Sequence, residues 1–295
     1  MNEITSTGYL DSHCHLQASS LIPVLDGMMK RAGNAGVHRM FCNATREEDW
    51  QAVVDLAANK HEIIPFMGIH PWYAETAGAG WEDRLRFRLE QIPAGIGEVG
   101  LDKCCRADFG RQQQIFLTQL QMAAKLRRPL VIHCVRAWGR MLELLEQFPE
   151  PLPPVMIHAF AGSLETLQRL IRIGCFISFS SRLATNNKVH TLFLATPLAS
   201  LLLETDSQGR ASKRSEAMSP SVAGVTNAAG RIDAPARPGS RLPSDSYNQQ
   251  IIYNEPADII KLYQLATTMR RMALPEFRQE IWKNGEIFTN PILPR

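Results

Sequence analysis

Short apolar runs recur along the first two-thirds of the chain, at 8–11, 37–43, 63–69, 95–98, 130–134, 155–158, 175–179 and 201–204. Several are rich in β-branched residues and most end at Gly, Pro, Asn or Asp, which is how short buried strands read. Between them lie longer segments whose apolar residues return at helical spacing, at 21–35, 47–60, 81–91, 110–127, 137–148 and 163–173. In 47–60, Trp50, Val53, Val54 and Ala57 are spaced for one helix face. Ser163 followed by Glu165 is a capping residue and an early acid, as a helix start should have. Strands alternating with helices predict an α/β fold with a parallel sheet. Eight such units in about 200 residues fit a (β/α)8 TIM barrel, typically about 250 residues long. A doubly wound open sheet is the alternative, but no GxGxxG follows the first run, so its dinucleotide-binding version loses support.

After the eighth run the pattern stops. Residues 207–250 are rich in Ser, Ala, Pro, Gly and Arg and show no sustained periodicity. This predicts a long insertion after strand 8 of a single domain spanning 1–295, either a functional loop or a flexible segment. Arg210, Lys213, Arg214, Arg231, Arg237 and Arg241 outnumber Glu216 and Asp233 among them, so the insertion reads as a basic flap or a solvated linker. Helical patterns return at 256–272 and 275–288.

The composition, 45% apolar and 21% charged over 295 residues, is that of an ordinary globular protein. A net charge of +3 is compatible with a nucleic-acid partner without demanding one. No apolar run approaches bilayer length, and the opening Met1-Asn2-Glu3-Ile4 lacks the basic and then apolar regions of a signal peptide. Six scattered cysteines without a CxxC argue against a disulfide framework and a structural zinc knuckle. The expectation is a cytoplasmic protein with no membrane contact and no protein partner.

Chemistry enters at the strand ends, where a barrel keeps its catalytic side chains. The first run leads into Asp11-Ser12-His13-Cys14-His15, and on a strand i and i+2 aim at one point. Later runs end at His70, at Glu98 with Asp102 beyond it, at His133, at His158, and at Glu204 with Asp206 beyond it. One such histidine is usually a hydrogen-bonded core residue; a set recurring at successive strand ends is not explained by packing. His38, His61 and His190 fall elsewhere and read as structural or exposed. His13, His15, His133 and His158 with Glu98 and Asp206 can hold two divalent cations, Mg, Mn or Zn, and the imidazoles favour Zn or Mn over a pure Mg site. A bridging carboxylate sets two metals ~3.5–4 Å apart, the separation that clamps attacking and leaving oxygens. A bound cation makes hydroxide available near neutral pH, and Asp206 is placed to orient it and shuttle its proton. A one-metal site, with some histidines left to bind substrate, remains open at this point.

These motifs resemble the TatD family of metal-dependent deoxyribonucleases, within the amidohydrolase-like hydrolases. The resemblance is carried by Asp11-Ser12-His13-Cys14-His15-Leu16, Gly68-Ile69-His70-Pro71, Gly97-Glu98-Val99-Gly100-Leu101-Asp102, Val131-Ile132-His133-Cys134, Ile157-His158-Ala159-Phe160 and Leu203-Glu204-Thr205-Asp206. Asn254-Glu255-Pro256 and Asn284-Gly285-Glu286 complete it, over residues 8–289. The resemblance implies a divalent-metal phosphodiesterase acting on DNA, single-stranded or at 3′ ends. It further implies that His13, His15 and Asp206 bind one metal, that His133 and His158 bind a second, and that Glu98 bridges them. It makes His70, Arg136 and Asn254 the substrate contacts, with His70 on the scissile phosphate. Here Cys134-Val135-Arg136 shifts the arginine by one place, and Ser207-Gln208-Gly209 opens the insertion where the family continues with proline. The altered rim keeps a second reading in view, a metal-dependent hydrolase of a small ester, amide or phosphoester. A third is a non-catalytic adaptor on a barrel scaffold.

Overall fold

The computed structural model describes residues 7–207 and 255–292; apart from Ser207, the expected insertion at 207–250 lies outside them. Eight strands are found among the described residues: β1 (Tyr9–Cys14), β2 (Val37–Asn43), β3 (Ile63–Met67), β4 (Gly95–Asp102), β5 (Leu130–Val135), β6 (Val155–Ile157), β7 (Phe176–Phe179) and β8 (Leu201–Leu203). They pair in chain order and every neighbouring pair is parallel. The crossovers carry α1 (Leu25–Asn34), α2 (Glu47–Asn59), α3 (Trp81–Gln91), α4 (Phe109–Leu126), α5 (Trp138–Glu146), α6 (Leu164–Arg172) and α7 (Asn187–Ala195), and α8 (Ile259–Arg270) and α9 (Leu274–Thr289) follow. The strands are buried on both faces, as helix-covered parallel strands must be.

The sheet returns to its start just beyond β8. The Asp206 amide donates to the His13 carbonyl (3.0 Å), the His15 amide to the Ser207 carbonyl (2.8 Å) and the Thr205 amide to the Asp11 carboxylate (2.9 Å). The fold is thus the expected (β/α)8 barrel. The same bonds fix Asp206 beside the β1 histidines. The C-terminal helices lock onto β1: the Tyr263 hydroxyl donates to the Leu10 carbonyl (3.1 Å), and a side chain at Gly285 would collide with Leu10. Phe288 of α9 packs on Phe41, Phe66 and Phe176 from three different strands, sealing the core.

Four elements depart from the sequence pattern. The first helix starts at Leu25 rather than residue 21, because 19–24, with Pro23 inside it, forms a 3-10 turn instead. Helix α7 has no counterpart among the expected helices; its short run is nucleated by Asn186, whose side chain accepts from the Lys188 and Val189 amides. Strands β1 and β4 run on to Cys14 and Asp102, past the end of their apolar runs, because polar Ser12, His13, Glu98 and Asp102 are buried within them.

Candidate metal centre

Seven of the expected side chains meet at the carboxyl ends of the strands. His13 lies in β1 with His15 just beyond it, Glu98 in the middle of β4 and His133 in β5. His158 follows β6 at once, and His70 and Asp206 each lie three residues past the end of β3 and β8. Glu98 is the hub, and it sits inside its strand rather than at the end the apolar run suggests. Its Oε1 lies 2.9 Å from His133 Nδ1, 2.8 Å from His158 Nε2 and 3.3 Å from His70 Nε2. Its Oε2 lies 3.4 Å from His13 Nε2 and 3.2 Å from His15 Nε2. Asp206 Oδ1 faces His13 and His15 at 3.9 and 3.6 Å.

Partners on the far side of each ring decide which nitrogen carries the proton. His15 Nδ1 faces the Asn43 carbonyl (2.7 Å), His158 Nδ1 faces Glu204 (3.3 Å) and His133 Nε2 faces Asp102 (3.2 Å), so each donates outward. The inward nitrogens then point lone pairs at Glu98, itself acceptor-only. Lone pair against lone pair at about 3 Å repels unless protons or cations stand between them. Two ligands ~2.1 Å from a common ion lie roughly 3.0–3.4 Å apart, the spacing of Glu98 from His13 and His15, of His13 from His15 and of His133 from His158, while Glu98 stands closer, at 2.9 and 2.8 Å, to His133 and His158. The donor set therefore fits divalent cations. Three groups close enough to hold one are His13/His15/Glu98, His70/Glu98/His133 and His13/His158/Asp206. His158 thus also stands within reach of the His13–Asp206 side, its ring stacked on His13 at 4.1 Å.

His70 is wired differently. Its Nδ1 accepts from the Trp72 amide (3.2 Å), so the neutral ring carries its proton on Nε2 and presents a donor to the centre. Burial pushes this imidazole down to about 4, Glu98 restoring only part of the loss. His15 behaves oppositely: burial opposes its charge, but Glu98 and Asp206 push it up to about 9. His158 and His133 are raised too, against burial, by Glu98 with Glu204 and by Asp102 with Glu98 respectively. Burial lowers His13, aided by His158. Burial disfavours the Glu98 and Asp206 charges, yet the surrounding imidazoles hold both carboxyls below their usual range. Asp206 keeps 23% of its side chain exposed against 8% or less for the other six, so solvent meets the cluster there.

The supporting backbone is specialised. Gly100 has φ +142°, and a Cβ there would lie 1.9 Å from the His133 carbonyl oxygen, so only glycine lets β4 run this close to β5. Arg136, Ala159 and Asp206 adopt left-handed φ of +52°, +44° and +52° without being glycine, a strain characteristic of functional sites. Arg136 is exposed at the end of β5 and makes none of the contacts that build the cluster. Asn254 lies outside the described residues. His38 and His61 are exposed and His190 is partly buried on α7, all three outside the cluster. Sequence reasoning passed over the outward partners Asp102, Glu204 and the Asn43 carbonyl. The first two stood inside quoted motifs, and the signal for them is a carboxylate near each ligand-type histidine.

A family model described as TatD related DNase matches residues 10–289. The uncharacterized metal-dependent hydrolase YjjV of Escherichia coli K12 is 30% identical over 204 residues, 67% of this chain and 78% of its own. The 3'-5' ssDNA/RNA exonuclease TatD of Klebsiella pneumoniae is 30% identical over 190 residues, 61% of this chain and 71% of its own. The solved structure of E. coli YjjV superposes with a TM-score of 0.76 at 25% identity, covering 97% of this chain and 98% of that one.

Proposed function

The chain belongs to the TatD-related DNase family, a metal-dependent hydrolase of phosphodiester bonds, and we propose that it removes nucleotides from the 3′ end of single-stranded DNA using two divalent cations. One observation carries the two-cation reading: the two oxygens of Glu98 face different imidazoles, His13 and His15 on one side, His133 and His158 on the other. In this reading His13, His15 and Asp206 would hold one cation and His133 and His158 the other, with Glu98 shared between the two sides. Cations held there would withdraw charge from the phosphate and lower the pKa of a water to near neutrality.

The chain's own groups do the rest. Asp206, held ionised and partly exposed, orients the incoming water and accepts its proton. His70, neutral with its proton on Nε2, donates a hydrogen bond to a phosphate oxygen and gives up no proton. Asp102 and Glu204 fix the rings of His133 and His158 so that their lone pairs face inward. Arg136 at the rim is assigned to a further phosphate, and Asn254 to the substrate through the family motif alone. The 207–250 stretch is taken as an insertion in one catalytic domain, because segments on both sides of it bond to β1. Free cysteines, three of them on β1, β2 and β5, support a reducing, cytoplasmic setting. Among the described residues no helix is long and apolar enough to cross a membrane.

The test is digestion of 5′-labelled single-stranded DNA, with duplex DNA, RNA and small phosphoesters alongside, under Mg²⁺, Mn²⁺ and Zn²⁺. A ladder shortening from the 3′ end is expected. Turnover of small esters with every polynucleotide left intact would overturn the reading.

A further inference from the structure

Trp72 is an aromatic side chain at the edge of the centre for which metal binding gives no role. It is 42% exposed, whereas other tryptophans, Trp50 and Trp81, are wholly buried in the core. It is nevertheless held from several sides. Its indole N–H donates to Asp102 Oδ2 (2.7 Å), and its amide donates to His70 Nδ1. The His70 ring meets it edge-on at 4.9 Å, and the His133 ring lies at 6.3 Å. Pro71 before it fixes the 3-10 turn that carries it. An indole held in place by these bonds and still 42% exposed beside a reactive centre is a preformed aromatic surface. Two exposed cations, Lys103 and Arg136, lie just past the ends of the adjacent strands β4 and β5; the Lys103 amide donates to the Val135 carbonyl (3.0 Å) and its ammonium lies over the Phe109 ring at 5.0 Å.

We propose that Trp72 is a stacking platform for the base of a nucleotide flanking the scissile phosphate, and so a substrate-positioning residue. The proposal rests on the phosphodiesterase reading above. His70 addresses the phosphate, and the indole beside it is placed for the base attached through the adjoining sugar. Lys103 and Arg136 supply charge for the next phosphates along the strand, a contribution indifferent to sequence. Because every base has a π-face, such a platform favours nucleic acid over small phosphoesters without choosing a sequence. Stacking of one base corresponds to about 5- to 150-fold in affinity.

Trp72 also hydrogen-bonds the carboxylate behind His133, so a purely architectural role must be separated from stacking. Trp72→Phe keeps an aromatic face and loses the N–H; Trp72→Leu loses both. Binding is measured by fluorescence anisotropy with a labelled single-stranded phosphorothioate octanucleotide in Mg²⁺. The same octamer is prepared with an abasic site at the last or the penultimate position. We expect the wild type to bind the intact octamer about 5- to 150-fold more tightly than one of the abasic forms. Trp72→Phe should keep most of that preference of intact over abasic octamer, and Trp72→Leu should abolish it. Equal binding of intact and abasic octamers by the wild type overturns the proposal, as does a preference that survives in Trp72→Leu or equal losses in Phe and Leu. Failure of the wild type to cleave unmodified DNA would instead overturn the phosphodiesterase reading, while the binding comparison still decides the role of Trp72.

Discussion

The most quantitative consequence of the site concerns pH and metal affinity. His15 is driven up to about 9: burial alone would depress it, but hydrogen bonding and attraction to Glu98, with Asp206 behind, more than compensate. At pH 7 an imidazole of that pKa keeps its proton in all but about 1% of metal-free molecules. A cation must displace this proton to reach Nε2, so its apparent dissociation constant should fall about tenfold per pH unit, or about 100-fold from pH 6 to pH 8. Because His133 and His158 are raised as well, the slope can be steeper, and it should flatten above pH 9. The metal-free protein should show the opposite trend in stability. A folded-state pKa of about 9 against an ordinary 6.5 contributes about 3 kcal/mol, fully present below pH 6.5 and lost as pH rises to 9. The assay is calorimetric titration of Mn²⁺ into metal-free protein at pH 6, 7 and 8, in two buffers of different ionisation enthalpy to count released protons. Thermal melts with and without Mn²⁺ run alongside, and the stabilisation by Mn²⁺ should grow with pH. A dissociation constant that is flat from pH 6 to 8, with no proton released, would refute the reasoning.

Other expectations follow from single side chains. Asp206→Asn should lower kcat by about 10²- to 10⁴-fold on single-stranded DNA, the usual worth of a positioned base, in steady-state assays. Glu204→Ala, which frees the His158 ring from its Nδ1 partner, should weaken Mn²⁺ binding about 10- to 100-fold by calorimetry, with circular dichroism unchanged. Gly100→Ala should destabilise the fold by about 3 kcal/mol or more in urea melts, since the new Cβ would strike the His133 carbonyl in a backbone conformation alien to alanine.

The barrel was legible because each strand is a short apolar run closed by a turn residue, and because histidines recur at several of those closures. What escaped has physical causes. The polar residues buried in β1 and β4 interrupt the apolar pattern, so both strands read short and Glu98 reads as a strand end although it lies inside β4. The Asn43 carbonyl that orients His15 leaves no side-chain signature in any sequence. Asp102 and Glu204 each sit within four residues of a more conspicuous acid, Glu98 and Asp206, and only the fold shows them behind different histidines. The exposure of Trp72 is equally invisible, since nothing in the sequence around it separates a buried indole from an exposed one. Helix α7 was missed because its stability comes from the Asn186 cap and from packing of Val189, Leu192 and Phe193 rather than from a long periodic stretch.

The central claim is that Glu98 bridges two cations between the β1 histidines and the pair His133 and His158. Anomalous diffraction from crystals soaked in Mn²⁺ tests it most directly. The account predicts two peaks about 3.5–4 Å apart, one on each side of the Glu98 carboxylate. A single peak, or peaks away from Glu98, would contradict it.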